Sequence, residues 1–111
     1  MKSFISFVTL VAVTSAAAFA AGLAPSAIVA KASSYDGKSV TVTGKVANFQ
    51  TSQTLRGTVA GYQLCDTKCV VVIDETNHAQ TNGSQATVTG TFHVTFSGPR
   101  KTFNNAVVIT H

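Results

Sequence analysis

The fold is decided by Val-Thr-Val-Thr-Gly-Lys-Val at residues 40–46 and by its echo, Ala-Thr-Val-Thr-Gly-Thr-Phe, at residues 86–92. In both stretches apolar side chains alternate with threonines, which is the period of a half-buried β-strand. Each also carries a glycine in mid-strand, which is costly unless the backbone must bend or bulge there. Two strands kinked at equivalent places predict a small closed barrel rather than a flat sheet.

The rest of the chain supplies three further strands and one helix. Residues 57–65, 69–74 and 102–110 are predicted to be strands, and residues 23–34 to be a short helix. The polar stretch 74–85 is predicted to be a loop, in which Asp74 and Glu75 are interpreted as solvated acids. The prediction is an all-β domain of five strands after a short N-terminal α-helix. Four phenylalanines are assigned to the core: Phe49, Phe92, Phe96 and Phe103.

The first 20 residues have the organisation of a cleavable signal peptide. Lys2 precedes an apolar run at 4–13, and Ala18-Phe19-Ala20 fits a small-x-small cleavage site. Cleavage leaves a single domain at 21–111 in the periplasm or outside the cell, with no stable membrane insertion. The alternative is retention of the apolar run as a membrane anchor.

The charge of the predicted mature domain is modest. Removing Lys2 leaves seven basic and four acidic residues, a net charge of +3, and these charges are scattered along the chain. This distribution favours a solvated surface over a dedicated polyanion-binding patch.

The order and spacing of the elements resemble those of the five-stranded OB-fold barrel. The resemblance rests on residues 36–46, on 61–64 leading into 70–73, and on 86–92. More narrowly, the chain is similar to small exported bacterial OB-fold proteins and to tRNA-anticodon-like OB domains of secreted bacterial chains. The segment between the third and fourth strands departs from that family, since it is too short and polar for a helix. The leading helix is expected to cover the barrel instead.

This resemblance implies a ligand face on strands two and three, flanked by the loops between strands one and two and between strands four and five. By position, the implied ligand-binding residues are Phe49, Arg56, Tyr62, Arg100 and Lys101. Such a face suits an anionic or glycan-like small ligand or a partner protein. Single-stranded nucleic acid is the less favoured alternative, because it normally stacks on several aromatic rings.

The two cysteines, Cys65 and Cys69, are separated by three residues at a predicted hairpin turn, which favours a structural disulfide in an exported domain. The alternative is a redox, metal- or haem-handling pair assisted by His78, His93 or His111. None of these histidines has ligand spacing to the cysteines.

No arrangement typical of a catalytic centre or a bound cofactor stands in the sequence. The resulting hypothesis is an exported, non-enzymatic binding module that needs no cofactor and whose partner is a small ligand or an envelope protein. The redox or metal hypothesis and the nucleic-acid hypothesis stay open beside it.

Overall fold

The computed structural model of the chain describes residues 22–98 and 101–110. The predicted signal peptide at 1–20 lies outside the described residues, as do Arg100 and His111. The described elements are α1 (Pro25–Ala30), α2 (Ala32–Tyr35), β1 (Ser39–Thr54), β2 (Gly57–Cys65), β3 (Cys69–Asp74), β4 (Gln85–Ser97) and β5 (Thr102–Ile109). Within these described stretches, no helix has the length and apolar character needed to cross a bilayer.

The five strands close into a barrel in the order β1-β2-β3-β5-β4, with β4 pairing back to β1. All neighbours are antiparallel except β3 and β5, which run parallel. This arrangement confirms the prediction of a mostly β domain whose five strands form a closed barrel.

The two echoing segments pair directly with each other, so that Gly90 lies opposite Val40 and Gly44 opposite Ala86. The glycines of these segments allow neighbouring backbone atoms to approach closely. A Cβ on Gly90 would lie 2.6 Å from the carbonyl oxygen of Val108, and one on Gly44 would lie 3.0 Å from the amide nitrogen of Cys65. The barrel therefore needs glycine at both positions for steric reasons that the sequence pattern alone does not show.

The core fills the barrel with the inward residues of every strand, including Phe92, Leu64, Val42 and Val72. Phe49 is partly buried against this cluster. The assignment of Phe96 and Phe103 to the core needs correction. They face each other across the β4–β5 hairpin, are half-buried, and do not belong to the cluster.

The predicted single helix at 23–34 consists of two short helices that break at Lys31. Ile28 of α1 is fully buried in the core cluster, so this helix covers part of the barrel. Just before it, Leu23 forms a parallel bridge with Val42 of β1. Leu23 therefore lies beside the N-terminal part of β1, along the edge that β2 pairs with only from Lys45 onward.

Candidate functional site

The cysteines form the predicted disulfide. Cys65 and Cys69 are directly opposed at the end of the β2–β3 hairpin, with a Cα–Cα distance of 4.1 Å. Closing so short a loop is expected to stabilise the fold by about 2 kcal/mol on chain-entropy grounds. In the described part of the chain, no three histidine, cysteine or acidic side chains cluster in a way that could hold a metal ion.

The turn inside this disulfide loop holds the first helix. The carboxylate of Asp66 accepts hydrogen bonds from the backbone amide and the hydroxyl of Ser26, at 3.0 and 2.6 Å. The Ser26 hydroxyl, with a smaller contribution from the Lys68 amide, lowers the pKa of Asp66. The disulfide therefore has a structural task, because it fixes the turn that anchors α1 to the barrel.

The most prominent surface feature is a two-stranded ribbon, which we define as residues 50–59. Beyond Lys45, β1 has no pairing with β4, and β2 pairs with β3 only from Ala60 onward. Among the described residues, 52–54 pair only with 57–59, and residues 50–57 are all exposed. Three residue pairs lie beyond the pairing with β3, so at about 3.4 Å per residue the ribbon projects roughly 10 Å from the barrel.

A β-bulge marks the base of the ribbon. Asn48 and Phe49 together oppose Tyr62 of β2, and Asn48 adopts a left-handed conformation with φ of 56°. The Asn48 side chain donates to the Gln63 side-chain oxygen at 2.6 Å. The Phe49 amide donates to the side-chain oxygen of Asn82 at 2.9 Å. The loop before β4 thereby clamps the ribbon where it leaves the barrel.

The tip of the ribbon is a tight turn at Leu55 and Arg56. Gly57, with φ of 116°, supplies the left-handed residue that ends the turn. The Thr54 hydroxyl donates to the Gly57 carbonyl oxygen at 2.8 Å and accepts from the Arg56 amide at 3.1 Å. These bonds order the turn while leaving the Leu55 side chain fully exposed. Arg56 is the only charged residue between Val46 and Cys65.

The residues implied by the resemblance as one ligand face are dispersed. Phe49 lies in a strand rather than in the predicted loop, because β1 continues to Thr54. Arg56 lies at the ribbon tip, beyond the C-terminal part of β1. Lys101 lies in the hairpin that follows β4, beyond the N-terminal part of β1, because these two strands run antiparallel. No small ligand could therefore contact Arg56 and Lys101 together.

Tyr62 is an interior residue and not a platform on the surface. It is 3% exposed, and its ring lies 5.8 Å from that of Phe49. Its hydroxyl is buried and has no hydrogen bond of acceptable geometry to any residue that the structure describes, although the Gln80 side chain approaches it. Burial raises the pKa of Tyr62, the Gln80 side chain partly offsets that rise, and the negative charge of Asp74 adds to it. The ring is unavailable for base stacking.

A second polar site lies at the end of β3. Asp74 is not the solvated acid that the sequence predicts, since the alternation of β3 turns it inward and leaves it 1% exposed. Its carboxylate accepts hydrogen bonds from the backbone amide and hydroxyl of Thr76 and from the backbone amide of His78. The same hydroxyl lies 2.7 Å from Nδ1 of His78, whose side chain is 77% exposed. The loop after β3 is thus built around one buried carboxylate.

Several of these functional candidates carry little signal in the sequence. Leu55 stands as one apolar residue between a polar run and Arg56-Gly57, and this is the signal that could have marked an exposed turn. Gln80 and Asn82 carry no such signal, because their roles depend on contacts with residues distant in sequence.

No protein-family model matches the chain, and the searches of curated proteins and of solved structures likewise found no match. The geometry of the described residues therefore carries the functional argument.

Proposed function

We propose that this chain is an exported, non-enzymatic binding module of the OB-fold type that grips a partner protein with the tip of its ribbon. Export to the periplasm or the exterior agrees with the disulfide between Cys65 and Cys69, since such bonds persist in oxidising compartments. Membership of the exported bacterial OB-fold proteins is part of the same proposal.

The observation that carries the proposal is the combination at the tip of a fully exposed Leu55 and a cationic Arg56 on an ordered turn. An exposed leucine gains free energy only when a partner removes it from water, about 1.5–3 kcal/mol for complete burial. An ordered turn lowers the entropic cost of binding, because little further ordering is required.

The side chains at the tip indicate which kind of surface the partner has. An apolar side chain beside a single positive charge fits an apolar pocket edged by carboxylates. The polar strands of the ribbon carry no acidic residue that would repel such a rim. Their outer edges pair with no other strand of residues 22–98 and 101–110, so their backbone groups could pair with a strand of the partner.

The dispersed positions of Arg56 and Lys101 favour a macromolecular partner over an anionic small ligand. The burial of Tyr62 removes the stacking platform that the nucleic-acid hypothesis required.

Site-specific photo-crosslinking in the producing cell tests the proposal. A photoreactive amino acid at position 55 is expected to yield one dominant adduct, whereas the same group at exposed position 104, on the hairpin beyond the opposite end of the barrel, is not. Excess wild-type protein should compete for the adduct. The double variant Leu55→Ser/Arg56→Glu should compete roughly tenfold less well, because both contacts at the centre of the interface are lost.

Equal labelling from both positions would overturn the proposal, as would equal competition by the double variant. A circular dichroism melt of that variant serves as the control for folding.

A further inference from the structure

The Asp74 site opens into a pocket that is independent of the ribbon. It is an open cavity of about 410 Å³, lined by the end of β3 and the loop after it, the N-terminal part of β4 and Ile109 of β5. The polar side chains that line it are Asp74, Thr76, His78, Gln80, Thr87 and Thr89. We call it the Asp74 pocket.

The hydrogen bonds of Asp74 fix the protonation pattern of the imidazole above it. The Thr76 hydroxyl has one proton, which it donates to the Asp74 carboxylate. The same oxygen can then only accept from His78, so Nδ1 of the neutral ring carries the proton. In this tautomer Nε2 of the exposed side chain is a hydrogen-bond acceptor.

Unused hydrogen-bonding capacity lies next to two residues of the pocket lining. The buried Tyr62 hydroxyl lacks a partner of good geometry, and its polar neighbours Gln80 and Asp74 both line the pocket. On the opposite wall, the hydroxyls of Thr89 and Thr41 are 2.8 Å apart. One hydroxyl of that pair donates to the other, so one proton and several lone pairs stay available.

The charge of the lining selects against anions. The lining contains one carboxylate and neither lysine nor arginine, and it includes the apolar surfaces of Val88, Ala79 and Ile109. Mixed donors and acceptors beside a small apolar area match the hydroxyls and C–H faces of a sugar ring. We infer that the Asp74 pocket binds a neutral polyhydroxylated ligand, one unit of a sugar or glycan.

Three polar residues of the pocket have distinct roles in binding. A sugar hydroxyl donates to Nε2 of His78, and the Gln80 carboxamide bridges the ligand to the Tyr62 hydroxyl. Asp74 is a positioning residue, since its carboxylate is almost fully buried and holds the loop from beneath.

NMR titration of the isotope-labelled protein, processed as the cell exports it, tests this inference. The probes are glucose, N-acetylglucosamine and its tetramer, with glucose 6-phosphate as the anionic counterpart. The amides of residues 76–80 and 87–89 are expected to shift with a Kd of about 1–10 mM, because the pocket is open and a single sugar buries little surface. Glucose 6-phosphate should bind more weakly than glucose.

Three variants give the test its specificity. His78→Ala and Gln80→Ala should each weaken sugar binding about threefold to tenfold, as expected for one lost hydrogen bond. Arg56→Ala at the ribbon tip should leave the titration unchanged, so failure of this inference is distinguishable from failure of the ribbon proposal. Tighter binding of the tetramer identifies a glycan as the source of the sugar, and equal binding identifies a free sugar.

Absence of localised shifts with every neutral sugar up to about 100 mM would overturn the inference, given the affinity expected for such a pocket. Stronger binding of glucose 6-phosphate, or shifts that both pocket variants leave intact, would overturn it equally.

Discussion

Strand β1 has two halves that share a backbone conformation and little else. In residues 39–46 inward apolar side chains alternate with outward polar ones, and both strand edges are paired. In residues 50–54 every side chain is exposed, and within the part of the chain that the structure describes their only pairing partner is β2. The first half is stabilised by burial. The second half buries almost nothing, and isolated two-stranded hairpins are marginally stable in water.

This difference indicates that contacts at the base and at the tip, rather than burial, keep the ribbon ordered. The bulge and the Asn82 contact hold its base, and the hydrogen-bonded turn holds its tip. An element that contributes so little to the core is better explained by an interaction with a partner than by stability of the barrel.

The largest expected effect lies opposite the first half of β1. Gly90→Ala should lower the free energy of unfolding by about 3 kcal/mol, because its Cβ would lie 2.6 Å from the carbonyl oxygen of Val108 and 2.9 Å from a methyl of Val107. Chemical denaturation measures this loss.

Gly61→Ala is the matched control for that substitution. Gly61 is also in a strand, but a Cβ added there would have no atom within 4 Å, so the change should be less than about 0.5 kcal/mol. Equal losses in the two variants would show that the close contact between position 90 and β5 is not what makes glycine necessary there.

Removing the disulfide is the second largest effect. Cys65→Ala/Cys69→Ala should lower the free energy of unfolding by about 2 kcal/mol. The double variant should then be insensitive to reductant, whereas reduced wild-type protein should show a comparable loss. Because the bridge lies at the end of β2 remote from the ribbon, crosslinking from position 55 should persist. A reduced protein with an unchanged unfolding midpoint would contradict the structural role.

The barrel could be predicted because its strands show a local, periodic alternation of apolar and polar residues. The alternation in residues 40–46 and 86–92 identifies two wall strands, and the spacing of the cysteines identifies the disulfide. The same period of two, applied further, would have turned Tyr62 inward with Ala60 and Leu64.

The ribbon and the Asp74 pocket were not predictable in this way. Residues 50–54 are polar on both faces, so no periodicity reveals that β1 continues through them. The pocket joins a loop after β3 to β4 and to a hydroxyl inside the barrel. Such contacts follow from closure of the barrel, which a one-dimensional pattern does not describe.

A smaller effect is expected at the base of the ribbon. Asn82→Ala removes the acceptor for the Phe49 amide and should cost about 1 kcal/mol. Amide hydrogen exchange in residues 50–54 should accelerate more than exchange in residues 40–46. Asn82→Asp keeps an acceptor oxygen and should preserve slow exchange. Equal acceleration in both halves of β1 would mean that Asn82 supports the whole barrel rather than the ribbon.

The smallest effect on stability should come from the tip itself. Leu55→Ser changes a side chain that is fully exposed and makes no contribution to the core, so the free energy of unfolding should change by less than about 0.5 kcal/mol. The turn should persist, because its hydrogen bonds come from Thr54 and from backbone groups. Thermal unfolding of the variant and its NMR spectrum measure both expectations. A loss as large as that of Asn82→Ala would show that Leu55 packs within the free protein. An unchanged fold, combined with weaker competition by the variant for the adduct formed from position 55, would separate the residue's binding role from stability, as the contrast between the two halves of β1 requires.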